Sequence, residues 1–258
     1  MPLTDTSRAG RVDDAMSAAH PSRTMLCRVD GLSDLTHNML ELRLAIEDGG
    51  PLGFSAGQYV QIEFAPDLRR YYSMASIPAE KRLVFHLRRA NAGESSSYVA
   101  NRLKLGDVVN VSGPLGSACL RDQHAGPVLL VAGGSGLAPM LSILQTLLVR
   151  DAGARVVLYF GVRSERDVYH ESLLANLAAA HANFSYEIVL SEPDSGTIRR
   201  QGLVHEAVAR DIADASGYTA YMAGPQEMVE AAGRLLLGRG VERRDIHADA
   251  FRPSPSEE

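Results

Sequence analysis

The chain has 258 residues, 45% of them hydrophobic, enough for two ordinary cores. Its formal net charge of -5 suits neither a nucleic-acid nor a membrane-surface partner. The two cysteines, Cys27 and Cys119, fall short of the four ligands of a structural zinc or thiolate-held cluster. None of the eight histidines lies in an HxxxH spacing, so no metal site is expected.

Residues 1–22 carry scattered charges and no apolar signal-peptide core, and are expected to form a loose polar tail. No apolar run approaches the ~20 residues of a membrane span, so a cytoplasmic protein is expected. From Met25 to about Arg121 the hydrophobic period is two. Leu40, Leu42, Leu44 and Ile46 alternate with Glu41 and Arg43, while Val60, Ile62 and Phe64 alternate with Gln61 and Glu63. Leu83, Phe85 and Leu87 repeat the pattern. Short strands with Gly- and Pro-bearing turns predict an antiparallel Greek-key β-barrel over 23–122.

After Gly126-Pro127 buried runs alternate with helical spacing. PVLLVA, RVVLYFG, FSYEIVLS and YTAYMAGP read as strands; the segments between and after them read as helices. This predicts a doubly wound α/β domain with a parallel sheet over 126–251, then a loose tail over 252–258.

The stretch LLVAGGSGLAPM sets Gly133, Gly134, Ser135 and Gly136 between a strand and a helix, with Pro139 in the first helical turn. Glycines there let a phosphate approach the backbone N–H groups of a helix start. The third glycine of G-x-G-x-x-G is replaced by Pro139, and no P-loop lysine follows. A hydrolase with Ser135 as nucleophile is the rival reading, with Asp249, His205 and His247 as triad candidates; Leu137 stands where its elbow needs glycine. Two further strand ends carry distinctive residues, Arg163 after the second strand and Ala223, Gly224, Pro225 and Met228 after the last. Ligands of such sheets gather beyond the carboxyl ends of the strands.

In order along the chain, these motifs resemble the ferredoxin–NADP⁺ reductase superfamily, and within it the flavin and nicotinamide modules of bacterial oxygenase reductases. The R-x-Y-[ST] flavin motif reads Arg70-Tyr71-Tyr72-Ser73, and the G-x-x-S segment reads Gly93-Glu94-Ser95-Ser96. GDVVNVSGPLG, GGSGLAP, YMAGPQEM and the HADAF segment ending in Phe251 follow. Many relatives have cysteine where Ala223 stands.

The resemblance implies FAD in the barrel and NAD(P)H in the α/β domain. Arg70 would hold the FAD pyrophosphate through charge-assisted hydrogen bonds, and Tyr72 would stack on the flavin. Ser73 would face the flavin N5, and Phe251 would lie near the ring. Tyr71, His86, Leu87, Arg88 and Gly93–Ser96 complete the implied FAD set. Gly134, Ser135, Gly136, Pro139, Arg163, Ala223, Gly224, Pro225 and Met228 form the nicotinamide set. Strand alternation puts Arg70 and Tyr72 on one face and Ser73 on the other.

The implied chemistry is hydride transfer from nicotinamide C4 to FAD N5, with NADH as the expected donor and NADPH possible. The chain has no cysteine set for a plant-type [2Fe–2S] domain. A separate [2Fe–2S] ferredoxin feeding a terminal oxygenase is therefore the expected acceptor, and a monomer the expected state. Arg69, Lys81, Arg82 and Arg89 are candidates for steering an acidic partner, or simply solubilising surface charge. A free-flavin reductase and a flavin-binding redox sensor remain the alternative functions.

Overall fold

A computed structural model describes residues 20–89, 102–121, 126–150 and 153–251. The expected tails, 1–22 and 252–258, and the Gly93–Ser96 segment fall largely or wholly outside them.

The first half is an antiparallel six-stranded sheet of β1 (Arg23–Asp34), β2 (Met39–Ile46), β3 (Tyr59–Ala65), β4 (Leu68–Ser73), β5 (Arg82–Arg88) and β6 (Val108–Leu115). Their spatial order is β4-β3-β6-β1-β2-β5. The two end strands meet through a bridge between Met74 and Phe85, and Ala75 N donates to Val84 O at 2.7 Å. This contact closes the sheet on itself. The period-two residues fill the interior, with Leu42, Leu44, Val60, Ile62, Phe85 and Val111 all fully enclosed.

The second half is a wholly parallel sheet. It contains β7 (Val128–Gly133), β8 (Val156–Val162), β9 (Phe184–Leu190), β10 (Arg200–Gln201), β11 (Thr219–Pro225) and β12 (Ile246–Phe251). The order is β10-β9-β8-β7-β11-β12, so the direction of winding reverses between β7 and β11. α1 (Leu137–Arg150) and α2 (Glu171–Ala180) cover one face, packing on Leu130, Leu158 and Phe160. α3 (Val204–Asp211) and α4 (Gln226–Gly238) cover the other, over Leu129, Val131 and Met222. Burial on both faces is why these strands read as unbroken apolar runs.

The two halves share a packed seam. Met39 and Ala56 of the barrel join the core beneath α1, and Ser142 Oγ donates to Ser76 O at 2.7 Å. Leu120 N donates to Ala56 O, and Asn38 Nδ2 reaches Asp167 Oδ1 at 3.3 Å. Among the described residues no helix is long and apolar enough to cross a membrane.

Candidate functional site

The carboxyl ends of β7 and β11 lie side by side at the reversal point, with Ala132 opposite Ala223. Their backbones approach too closely for side chains. A Cβ on Gly136 would fall 2.0 Å from Ala223 O, and one on Gly133 would fall 2.6 Å from Met228 Sδ. Gly134 and Gly224 have φ of +54° and +144°, conformations that favour glycine. The Gly134–Gly136 turn runs straight into α1, with Pro139 buried in its first turn. Among the described residues no side chain caps this start. A phosphate at the turn would meet open N–H groups and the positive end of the helix.

A cleft of about 310 Å³ opens at these strand ends, and Arg88, Gly134, Arg163, Tyr169, Pro225 and Met228 contribute to its walls. Arg88 arrives from the barrel, its guanidinium 2.8 Å from where a Gly134 Cβ would stand. Arg163 and Glu192 approach to 3.9 Å on the rim, both 72% exposed. The acids of the loop that carries Arg163 are engaged elsewhere. Glu165 binds Thr197 and Arg199, which hold its carboxyl below the usual range, and Asp167 accepts from Ser164 N and Oγ.

On β4, Arg70 and Tyr72 pair with Ile62 and Val60 and so share the barrel-facing side, as alternation predicts. Tyr72 packs edge-on against Phe64 with centroids 6.0 Å apart. Arg70 donates to Arg69 O and forms no ion pair among the described residues. Tyr71 lies on the outer face, mostly exposed, edge-on to Tyr59 at 5.7 Å.

Ser73 also points outward but is buried, and its Oγ donates to Asp249 Oδ2 at 3.2 Å. Asp249 stands opposite Ala223 in the β11–β12 ladder, and Phe251 stands opposite Pro225. Ser73, Asp249, Ala223 and Phe251 are therefore brought together where the barrel meets the reversal point. The sequence offers Asp249 only as a hydrolase acid. Period-two alternation from Phe251 along β12 carries the signal that places it on this face.

β5 distributes its three candidates differently. Leu87 points into the barrel core, and only Arg88 reaches the cleft. His86 is buried on the outward face under Tyr169 and His170, with ring centroids 5.2 and 4.9 Å away. Burial, and then the neighbouring His170, push the His86 imidazole well below its ordinary pKa. Two of the three partners of the hydrolase reading are engaged elsewhere. Asp249 is committed to Ser73, and His247 stacks on Tyr221 at 4.9 Å.

These residues fit the two cofactors. The glycine turn is a phosphate cradle, and Arg70 on β4 and Arg88 on β5 offer two guanidinium groups from the barrel side of the seam. Burial raises the Asp249 carboxyl above the usual carboxylate pKa, and the Ser73 hydrogen bond only partly offsets it. The unfolded chain ionises Asp249 more readily, so its titration takes stability away as pH rises from the ordinary carboxylate value through the raised native one. Asp249→Asn should therefore gain stability over the wild type across that window and hold a constant advantage above it. Urea midpoints measured over a pH series check this. A wild type that gains on the variant as pH rises contradicts it.

Known proteins carry the same two modules. Residues 26–119 match the oxidoreductase FAD-binding domain and residues 130–234 the oxidoreductase NAD-binding domain. A Ralstonia sp protein is 42% identical over 235 residues, covering 91% of this chain and 71% of its own. It is the ferredoxin–NAD(P)⁺ reductase component of naphthalene 1,2-dioxygenase/salicylate 5-hydroxylase systems. The corresponding component of the Pseudomonas putida naphthalene 1,2-dioxygenase system is 37% identical, with the same coverages of 91% and 71%. The crystal structure of an Amycolatopsis cytochrome P450 reductase is similar with a TM-score of 0.85 at 33% identity, covering 91% of this chain and 71% of that one. The chain belongs to the ferredoxin–NADP⁺ reductase family and is an FAD-containing NAD(P)H oxidoreductase.

Proposed function

We propose that this protein takes electrons from NADH, with NADPH as the weaker donor, and passes them through FAD to a separate [2Fe–2S] ferredoxin that feeds an oxygenase. The proposed setting is a cytoplasmic monomer. The observation that carries the reading is the convergence of the Arg70–Ser73 strand with the β7–β11 reversal point through the Ser73–Asp249 hydrogen bond. The reductase components among the relatives support the acceptor class.

Bound FAD supplies the conversion of a two-electron input into single-electron output. The chain's residues bind and orient. Arg70 would hold the pyrophosphate, and Tyr72, steadied by Phe64, would present its ring to the flavin face. Ser73 would offer its hydroxyl at the flavin's reactive edge, with Asp249 fixing the rotamer from behind. Gly134, Ser135 and Gly136 would hold the nicotinamide dinucleotide by backbone contacts, against Arg88. Phe251 and Pro225, neighbours across the β11–β12 ladder, would border the rings and keep water out. Ala223 contributes its carbonyl to the close approach with Gly136 and no acid–base group, so it acts on ring position.

The expected docking cations look different in the folded chain. Arg69 pairs with Glu63, Arg82 with Asp30 and Arg89 with Asp34. This local neutralisation weakens their pull on an acidic partner and leaves Lys81 as the exposed candidate with no ion pair among the described residues.

Tyr72→Ala should purify with substantially less FAD and oxidise NADH in proportion to the flavin retained. Full flavin occupancy with unchanged NADH oxidation removes Tyr72 from the seat. For the donor, Glu192 is the acid that faces Arg163 on the rim, where a 2′-phosphate would sit. Glu192→Ala should raise kcat/KM for NADPH by about five- to tenfold, equivalent to roughly 1 kcal/mol of charge interaction, and change NADH little. Equal changes for both cofactors would place the 2′-position elsewhere.

A further inference from the structure

Glu41, His86 and His170 come from three elements and meet inside the seam between the halves. Glu41 and His86 are direct partners across the β2–β5 ladder, and His170 immediately precedes α2. One ligand atom from each lies within 4.8 Å of the others. His86 Nε2 and His170 Nε2 are 3.1 Å apart, and His170 Nε2 is 3.6 Å from Glu41 Oε2. Ligands of a tetrahedral zinc ion, at about 2.0–2.2 Å from the metal, stand roughly 3.3–3.5 Å from one another. The two measured edges bracket that separation.

The surroundings orient the lone pairs. Tyr169 donates its hydroxyl proton to Gly134 O at 3.0 Å, so its oxygen accepts from His86 Nδ1–H at 3.4 Å. That tautomer leaves the His86 Nε2 lone pair facing His170. Arg43 holds Glu41 by the other carboxylate oxygen, at 2.7 Å from Nε and 2.6 Å from the terminal nitrogen, which leaves Oε2 turned toward the imidazoles. Partners of this kind fix the ligands of metal sites from outside. Without an ion, His170 Nε2–H donates to His86 Nε2. On binding an ion, His170 takes its Nδ1–H tautomer and both Nε2 lone pairs point at the metal. Neither the flavin seat nor the nucleotide cleft uses Glu41 or His170.

We propose that Glu41, His86 and His170 form a binding site for a divalent metal of the zinc class that bolts the barrel to the α/β domain. Two imidazoles and one carboxylate suit zinc among common divalent ions, with water in the fourth position. His170, at 19% side-chain exposure, gives the ion its way in. Because Tyr169 is the next residue and holds the Gly134 carbonyl, an occupied site also steadies the wall of the nucleotide cleft.

The inference stands apart from the choice of electron acceptor, and its test reads metal rather than turnover. The FAD-loaded protein, stripped with a chelator, is dialysed against micromolar zinc and analysed for bound metal and thermal midpoint. Two variants run beside it. His170→Gly removes a ligand while suiting the residue's φ of +57°, and Glu41→Gln removes the carboxylate at nearly constant size. Flavin absorbance verifies that each is folded. The wild type should retain about one zinc and gain several degrees in midpoint, with each variant binding roughly tenfold or more weakly and gaining nothing. A wild type that retains no zinc, or either variant binding it as tightly as the wild type, overturns the proposal.

Discussion

The close approach of two strand ends governs this molecule. Where β7 and β11 part company, Gly136 lies against the Ala223 carbonyl with no room for even a methyl group, and Gly133 lies against Met228. Because the sheet reverses there, helices leave in opposite directions and a crevice opens above the strand ends. The glycines serve both ends at once: they let the backbones touch, and they bare the N–H groups at the start of α1. Overpacking this point would disturb the sheet and the cleft together.

The second dependence is the seam that sets the barrel against that crevice. Ser73 and Asp249, 176 residues apart, share a hydrogen bond, and Ser142 ties α1 to the loop after β4. Arg88 crosses from β5 to the glycine turn. The Tyr169–His170 corner covers β5 and holds the Gly134 carbonyl. Each contact fixes a distance between a flavin-side and a nucleotide-side element, the quantity on which transfer between two bound rings depends.

Much of this is legible in the sequence. Period two marks the barrel strands, unbroken apolar runs mark the parallel ones, and alternation alone separates Arg70 and Tyr72 from Ser73. Leu87 is legible as a core residue, since its period matches Phe85. Alternation also groups His86 with Arg88, yet their fates differ because the α/β domain covers one and leaves the other at the cleft. What local pattern does not carry is which distant element closes over a given face. The engagement of Ser73 by Asp249, the pairing of Arg69, Arg82 and Arg89 with nearby acids, and the meeting of Glu41, His86 and His170 all arise from tertiary docking and strand register.

Direct reduction requires that one chain hold the nicotinamide and the flavin within transfer distance. Anaerobic stopped-flow mixing of the FAD-loaded protein with NADH, followed by the loss of flavin absorbance, tests it most directly. Complete bleaching is expected, in a phase whose rate saturates with NADH and with no added acceptor. Flavin that stays oxidised under excess NADH would contradict it.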